Sequence, residues 1–455
     1  VRDGDVLNLA GNSVRFRDIS EKQRDAIEAR RTQSWKRVHP AVTLFFLTIF
    51  QAILLLEHMC TAESEYLAGI MLGFVLLVLL EWFCYFAMRS IRRTGFEVET
   101  LAFFLSSIGL SIIASSVPDE MFRQMIIVFA GVVAFFVLGW WLRDLDRTKT
   151  MRLPLAILSV LILGREQYGA KNWIFIGSMS IQPSEFVKVA FIYVGAATLD
   201  RLFSTKNLIL FIVFSALCVI CLAFSSDFGT ALIFFVTFLV ISFMRSGSIA
   251  TVALAITGAG MAGFLMLKMK DHVARRFATW GHIWDAENIW DGGYQQTHAL
   301  SAGASGGLFG KGAGNGWLKN TFAGNTDTVF GVMCEELGLI IAICAVLAIL
   351  ALAFFAVRNS GHGRSAYYSI AACATASMFM VQVALNVFGS VDILPFTGVT
   401  FPFVSRGGTS VLACWMLLAF IKAGDTRKGA SFVVRPPEAK TKKQRESAEE
   451  RKETA

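Results

Sequence analysis

An all-α polytopic membrane protein with about 12 transmembrane helices and one large extracytoplasmic loop is the fold class that three features of the sequence predict. The 455 residues are 55% hydrophobic and only 17% charged, well under the roughly 25% charge of a soluble domain. The apolar residues gather in runs of roughly 17–25, the length that crosses a bilayer as a helix. Short polar links join these runs, with one exception. From Lys270 to Gly338 the chain reads KDHVARRFATWGHIWDAENIWDGGYQQTHALSAGASGGLFGKGAGNGWLKNTFAGNTDTVFGVMCEELG, too long and too polar to be a mere connection.

The chain begins with a polar, basic arm over residues 1–38. Its opening, VRDGDVLNLAGNSVRF, alternates like two strands around a Gly-Asn turn. It reads either as a cytoplasmic juxtamembrane arm or as something that looks like the closing strands of a forkhead-associated domain. No signal-peptide pattern precedes the first apolar run. The runs then fall near 41–59, 66–88, 98–117, 122–142, 152–168, 183–200, 207–225, 228–245, 249–269, 330–357, 366–390 and 406–423. The fifth, MRLPLAILSVLILGREQYG, is short and polar, so hydropathy alone also admits eleven spans.

Loop charge decides between the two counts. Even-numbered runs are followed by MRSIRRTG, LRDLDRTKTMR, DRLFSTKN, MRSGS, VRNSGHGR and a Lys/Arg-rich tail. Odd-numbered runs are followed by TAESE, PDEMFRQ, REQYGAKNW, SSDFG, the long loop and SVDILPFTG. The positive-inside rule then puts both termini in the cytoplasm and the long loop outside, and only twelve spans keep the pattern. The tail from Asp425, ending KTKKQRESAEERKETA, is too charged to bury a core and reads as disordered. The formal charge of +8 is explained by this topology and calls for no nucleic-acid partner. The eight cysteines lie in or beside apolar segments. Even the CxxC pair Cys218 and Cys221 sits within a span, so neither a disulfide framework nor a metal set is indicated.

Several groups could carry chemistry. In the long loop Phe277, Trp280 and Trp284 recur at helical spacing with Trp290 nearby, as in a segment lying in the membrane interface. SGGLFGKGAGNG at 305–316 surrounds Lys311 with glycines. It is a possible anion cradle or a flexible turn, but no Walker A motif, since Ser305 and Gly312 break the pattern. Asp327 stands just before an apolar helix, where capping is the plain reading. Within the spans, Glu185 and Lys188 lie one turn apart and can pair. Asp227 interrupts two apolar runs near the outer side. Ionisable groups in spans are costly, so they serve either as structural glue or as the lining of a polar substrate cavity.

These segments occur in an order that resembles the SEDS family, the FtsW/RodA/SpoVE proteins of shape, elongation, division and sporulation. The stretches are YGAKNWIFIG with IQPSEFVK, then SSDFGTA, GYQ–HAL–GASGGLFGKGAGNG, NTDTVFGVMCEELG and TGVTFPFVSRGGTS, covering roughly 165–424. The resemblance implies a SEDS-like core of ten spans, and the two extra runs an added N-terminal pair. It implies a peptidoglycan glycosyltransferase that polymerises lipid II outside the cytoplasmic membrane of a bacterium, beside a class B penicillin-binding protein. The family's loop aspartate falls on Asp327, its membrane pair on Glu185 and Lys188, and its mid-chain aspartate on Asp227. The chain departs from the family pattern where a Leu-Pro-Glu segment upstream of Asp327 is missing, and where Thr328 and Arg406 replace a Phe and a Tyr.

Glycan polymerisation needs a base for the acceptor hydroxyl, a role for Asp327 that contributes about 10²–10⁴-fold. Charge on the leaving pyrophosphate needs cations or N–H donors. Lys311, Arg275, Arg276 and Arg406 are candidates, with a divalent cation such as Mg2+ as a further one. Gln182, Gln295 and Ser405 complete the expected substrate contacts. The rival readings are a flippase for lipid-linked precursors, which needs no single outer carboxylate, and a non-catalytic scaffold of the wall-synthesis complex, which needs none of these charges.

Overall fold

The computed structural model describes residues 6–9, 12–15, 20, 39–93, 95–164, 166–167, 170–171, 173–176, 179–199, 205–269, 271–360, 365–425 and 430–431. Two compact units, Val1–Thr43 and Leu44–Ala455, divide the chain. The first contains an antiparallel hairpin, β1 (Val6–Leu9) against β2 (Asn12–Arg15), with Val6 opposite Arg15 and Leu9 opposite Asn12. The strands expected around the Gly-Asn turn are therefore present, while the basic tail beyond Ser431 lies outside the described residues.

The second unit is helical. Its long helices are α1 (Pro40–Thr61, which begins in the first unit), α2 (Ser64–Ser90), α3 (Glu97–Ser116), α4 (Met121–Trp141), α5 (Leu145–Leu163), α6 (Pro183–Leu199), α7 (Thr205–Phe224), α8 (Phe228–Ser246) and α9 (Ile249–Met269). The long loop contributes α10 (Asp271–Thr279), α11 (Tyr294–Gly306) and α12 (Val329–Glu336), and the chain closes with α13 (Gly338–Ser360), α14 (Ala366–Ser390) and α15 (Gly408–Ala423). Among the described residues, eight helices are long and apolar enough to cross a membrane, and α15 is a shorter apolar helix. The protein is an all-α polytopic membrane protein. Each of the twelve expected runs holds one long helix.

Two boundaries differ from the sequence reading. The fifth run begins earlier, at Leu145, because Asp144 caps the helix by accepting from the N–H groups of Asp146 and Arg147. It also stops at Leu163, and Glu166–Gln167 pairs as a strand with Ala170–Lys171. The tenth run is broken in two. Gly338 has φ +85°, a left-handed conformation that ends α12 and lets α13 leave in a new direction.

α15 packs on α4, and α14 lies against α6, α8, α13 and α15. α3 and α14 form the interior, 78% and 72% buried along their apolar stretches, whereas α1 is only 22% buried. Trp415 of α15 is fully buried among Phe103, Phe135 and Phe403, the closest ring centroid at 4.9 Å. Removing such a side chain costs about 3–5 kcal/mol. This aromatic knot fixes the segment before α15, and that segment builds the outer site.

Candidate active site

Asp327 lies in a tight turn whose backbone is fully tied down. The carbonyl of Ala323, a residue with φ +56°, accepts from the N–H groups of Thr326, Asp327 and Thr328 at 3.2, 3.0 and 3.3 Å. The Asn386 side-chain amide of α14 donates to the Asp327 carbonyl at 2.9 Å and to that of Val399 at 2.7 Å. Ser405 Oγ donates to the Thr326 carbonyl at 2.7 Å and accepts from Phe401 N–H at 2.8 Å. Arg406 N–H donates to the Asn325 carbonyl at 2.9 Å. Every one of these bonds holds main chain, so the side chain of Asp327 keeps its carboxylate.

The capping reading of Asp327 is corrected here. Thr328 is the cap residue of α12, and among the described residues no backbone N–H bonds the Asp327 carboxylate. Instead that carboxylate faces Gly398, where a Cβ would stand 3.1 Å from Oδ2 and where φ is +68°. Only glycine fits so close an approach in that conformation. Burial pushes the Asp327 carboxyl up to about 6, opposed by the Thr326 hydroxyl and the Arg276 guanidinium and reinforced by the charge of Asp227. Asp227 itself caps α8, its Oδ1 accepting from Thr230 N–H at 3.1 Å. Three groups from separate segments, Asp327, Asp227 and Arg276, thus share one electrostatic corner. Arg275 and Arg276 are both exposed on α10.

The remaining candidates are placed elsewhere. Glu185 and Lys188 form the expected pair at 2.8 Å, but they are 3% and 1% exposed: a closed pair rather than the lining of an open cavity. Gln182, half-buried, ends its segment with a carbonyl that accepts from Glu185 N–H. Gln295 donates to the Phe322 carbonyl at 3.1 Å, which ties α11 to the connection leading into Asp327. Arg406 makes a two-pronged ion pair with Glu120 at 2.8 and 3.0 Å, so its guanidinium is committed.

The glycine-rich loop is a cradle, and the anions it holds are the protein's own. Glu335, wholly buried, accepts from Lys311 Nζ at 3.0 Å and from the N–H groups of Trp317 and Leu318 at 3.1 and 3.0 Å. Glu336 accepts from Gly314 N–H and from Ser115 Oγ. Glu57 at the end of α1 accepts from Ala313 N–H at 3.0 Å. The backbone donors of this loop, and one bond of Lys311, therefore serve the protein's own carboxylates.

Sequence reasoning missed Asn386, Glu57, Glu335 and Asp392, whose carboxylate accepts from Gly281 N–H at 3.2 Å and pins the turn after α10. Asn386 carries the one signal that could have found it, a polar residue deep in an apolar span.

The model of the FtsW/RodA/SpoVE family, described as cell cycle proteins, matches residues 100–428. The chain is similar to the peptidoglycan glycosyltransferase RodA of Mycobacterium leprae, 29% identical over 66% of this chain and 68% of that protein. It is also similar to stage V sporulation protein E of Bacillus subtilis, 30% identical over 66% and 85%. The probable peptidoglycan glycosyltransferase FtsW of Escherichia coli is 29% identical over 69% and 79%. Among solved structures, a chain of a peptidoglycan synthase complex, described for its coordination of polymerization and crosslinking, superposes with a TM-score of 0.60 at 20% identity, covering 72% of this chain and 96% of that one. The Thermus thermophilus rod shape determining protein RodA superposes at 0.53 and 21% identity over 72% and 95%. These two likenesses establish the fold.

Proposed function

This chain belongs to the FtsW/RodA/SpoVE family of cell cycle proteins, and from that premise we propose that it is a peptidoglycan glycosyltransferase working through Asp327. The substrate is lipid II, presented at the outer face of the cytoplasmic membrane. Both termini lie in the cytoplasm, as the loop charges require. A class B penicillin-binding protein is the partner that crosslinks the strands, by analogy with the polymerization and crosslinking complex above.

One observation carries the reading. In the long loop a half-buried carboxylate has its main chain held by Asn386 and its side chain met by the Thr326 hydroxyl, with its proton affinity raised toward neutrality and the charge of Arg276 acting on it. The acceptor hydroxyl attacks C1 of the donor sugar and its proton passes to Asp327. The new O–C1 bond forms as the bond from C1 to the pyrophosphate oxygen breaks, and the electron pair leaves with the lipid pyrophosphate. A base with a pKa near the working pH is suited to that transfer. Arg276, with Arg275 next to it, meets the charge that develops on the leaving group. Lys311 and Arg406 are committed to Glu335 and Glu120.

A divalent ion such as Mg2+ is a further candidate for this corner. The charge of Asp227 acts on the Asp327 carboxyl, and carboxylate oxygens with water and substrate phosphate suit a hard cation. They would hold it, and it would supply counter-charge for the pyrophosphate.

The test is polymerisation of lipid II by purified protein. Asp327→Asn preserves shape but accepts no proton, so it abolishes glycan synthesis while the protein stays folded and inserted. Near-normal synthesis by that variant removes Asp327 from the mechanism.

A further inference from the structure

Four rings of the outer loop touch one another and take no part in the mechanism above. Tyr294 and His298, one turn apart on α11, have centroids 4.0 Å apart. Trp290 lies 6.4 and 6.5 Å from them, and Trp317 lies 5.6 Å from His298. Trp290 is 78% exposed and Trp317 39%. The cluster also has a polar centre. His298 Nδ1 sits 2.7 Å from the Tyr294 carbonyl oxygen, which can only accept, so Nδ1 carries a proton and Nε2 keeps a lone pair. Among the described residues no donor meets Nε2.

We propose that Trp290, Tyr294, His298 and Trp317 form a platform that holds the growing glycan strand on the outer face. A pyranose presents axial C–H bonds on one face and hydroxyls around its edge. An aromatic surface with a hydrogen-bond acceptor at its centre matches both. This inference rests on the polymerase reading and adds to it a site for the product strand. Gln295 links the platform to the catalytic turn: it sits between Trp290 and His298 in sequence and bonds the Phe322 carbonyl, a few residues before Asp327. A strand retained there is not released after each addition, so it grows longer.

Lipid is the competing occupant, and local charge argues against it. The aromatic residues Phe277, Trp280 and Trp284 accompany Arg275 and Arg276, the pairing expected at anionic headgroups. Around the platform the sign reverses. Trp290, Tyr294 and His298 are accompanied by Asp285, Glu287 and Asp291 with no Lys or Arg from 285 to 310, and the cations near Trp317 are engaged within the protein, Lys311 by Glu335 and Lys319 by the Gly314 carbonyl, an arrangement with little to offer anionic lipid.

The test uses the full-length protein in nanodiscs titrated with chitopentaose, a soluble β-1,4-linked aminosugar pentamer, alongside lipid II polymerisation. Trp290→Ala weakens pentamer binding about tenfold, the equivalent of one aromatic contact of roughly 1.4 kcal/mol, while Trp290→Phe stays within about twofold. Trp290→Ala and His298→Ala make shorter strands than the wild type at equal lipid II consumption, and Trp284→Ala changes neither pentamer binding nor strand length. Asp327→Asn binds the pentamer like the wild type. Wild-type protein that binds the pentamer but forms no polymer keeps the platform and sinks the polymerase reading. Unchanged binding and strand length in Trp290→Ala, with an active wild type, overturn the platform alone. Quenching of Trp290 by brominated lipid as strong as that of Trp284 also overturns it, by placing the ring in the bilayer.

Discussion

Two stretches of one long loop, 310–318 and 325–328, are built on opposite terms. In the first, backbone N–H groups and Lys311 turn inward onto the carboxylates of Glu57, Glu335 and Glu336. In the second, side chains of α14 and of the segment before α15 hold the main-chain carbonyls of Thr326 and Asp327, and the carboxylate of Asp327 is left for other work. Both stretches combine small residues with charges, and in the sequence the first looks more like a ligand site. What separates them is where the charges are spent. A carboxylate that closes a network stabilises, and one whose main chain is held by its neighbours while its side chain meets a single hydroxyl is available for chemistry.

The largest expected effect tests the structural half. Glu335→Ala leaves the Trp317 and Leu318 N–H groups buried without acceptors, at a cost of about 1–3 kcal/mol each. A fall in thermal stability with faster hydrogen exchange over 310–318 is the expected result. Unchanged exchange there would mean that the loop does not depend on its inward carboxylates.

The closed pair of α6 extends the contrast into the membrane. Lys188→Met or Glu185→Leu alone strands one buried charge, a loss of about 3–5 kcal/mol. The double replacement recovers most of that loss, because no charge remains to be neutralised. Equal, mild losses from both single variants, read by thermal unfolding in detergent, would place the two residues in water and apart.

The smallest effect compares two cations of the outer loop. Arg276→Gln lowers the polymerisation rate about tenfold, less than the roughly 10²–10³-fold of a buried charge-stabilising donor because the guanidinium is exposed. Lys311→Gln leaves the rate within about twofold and loses only its partly exposed ion pair with Glu335. Equal rate losses would return Lys311 to the substrate.

The reach of the sequence follows the same line. Run lengths were enough to place a helix in each of the twelve expected runs, since apolar segment length acts locally. Gly338 broke the tenth run because a glycine φ cannot be read from hydropathy. Asp327 stood out through motif order, yet its cap-like position misdirected the local reading, because Thr328 takes that place in the fold. The partners of the glycine-rich loop were hidden for a different reason. Glu57, which occupies it, lies 256 residues away in the chain, and no local pattern announces such a partner. Asp227 and Asp327 were visible singly, but their proximity depends on how α8 and α12 pack around 397–399.

The account stands most directly on the pH dependence of kcat/KM for lipid II polymerisation, which reports the free enzyme's essential base. Asp327 must be deprotonated to accept the hydroxyl proton, and burial pushes its carboxyl up to about 6. Activity therefore falls tenfold per pH unit below that point and levels off above it. Arg276→Gln removes a cation that favours the charged form, so its limb moves to higher pH. A wild-type profile that stays flat through pH ~6, or a limb that does not move in Arg276→Gln, would contradict the assignment of Asp327 as the base.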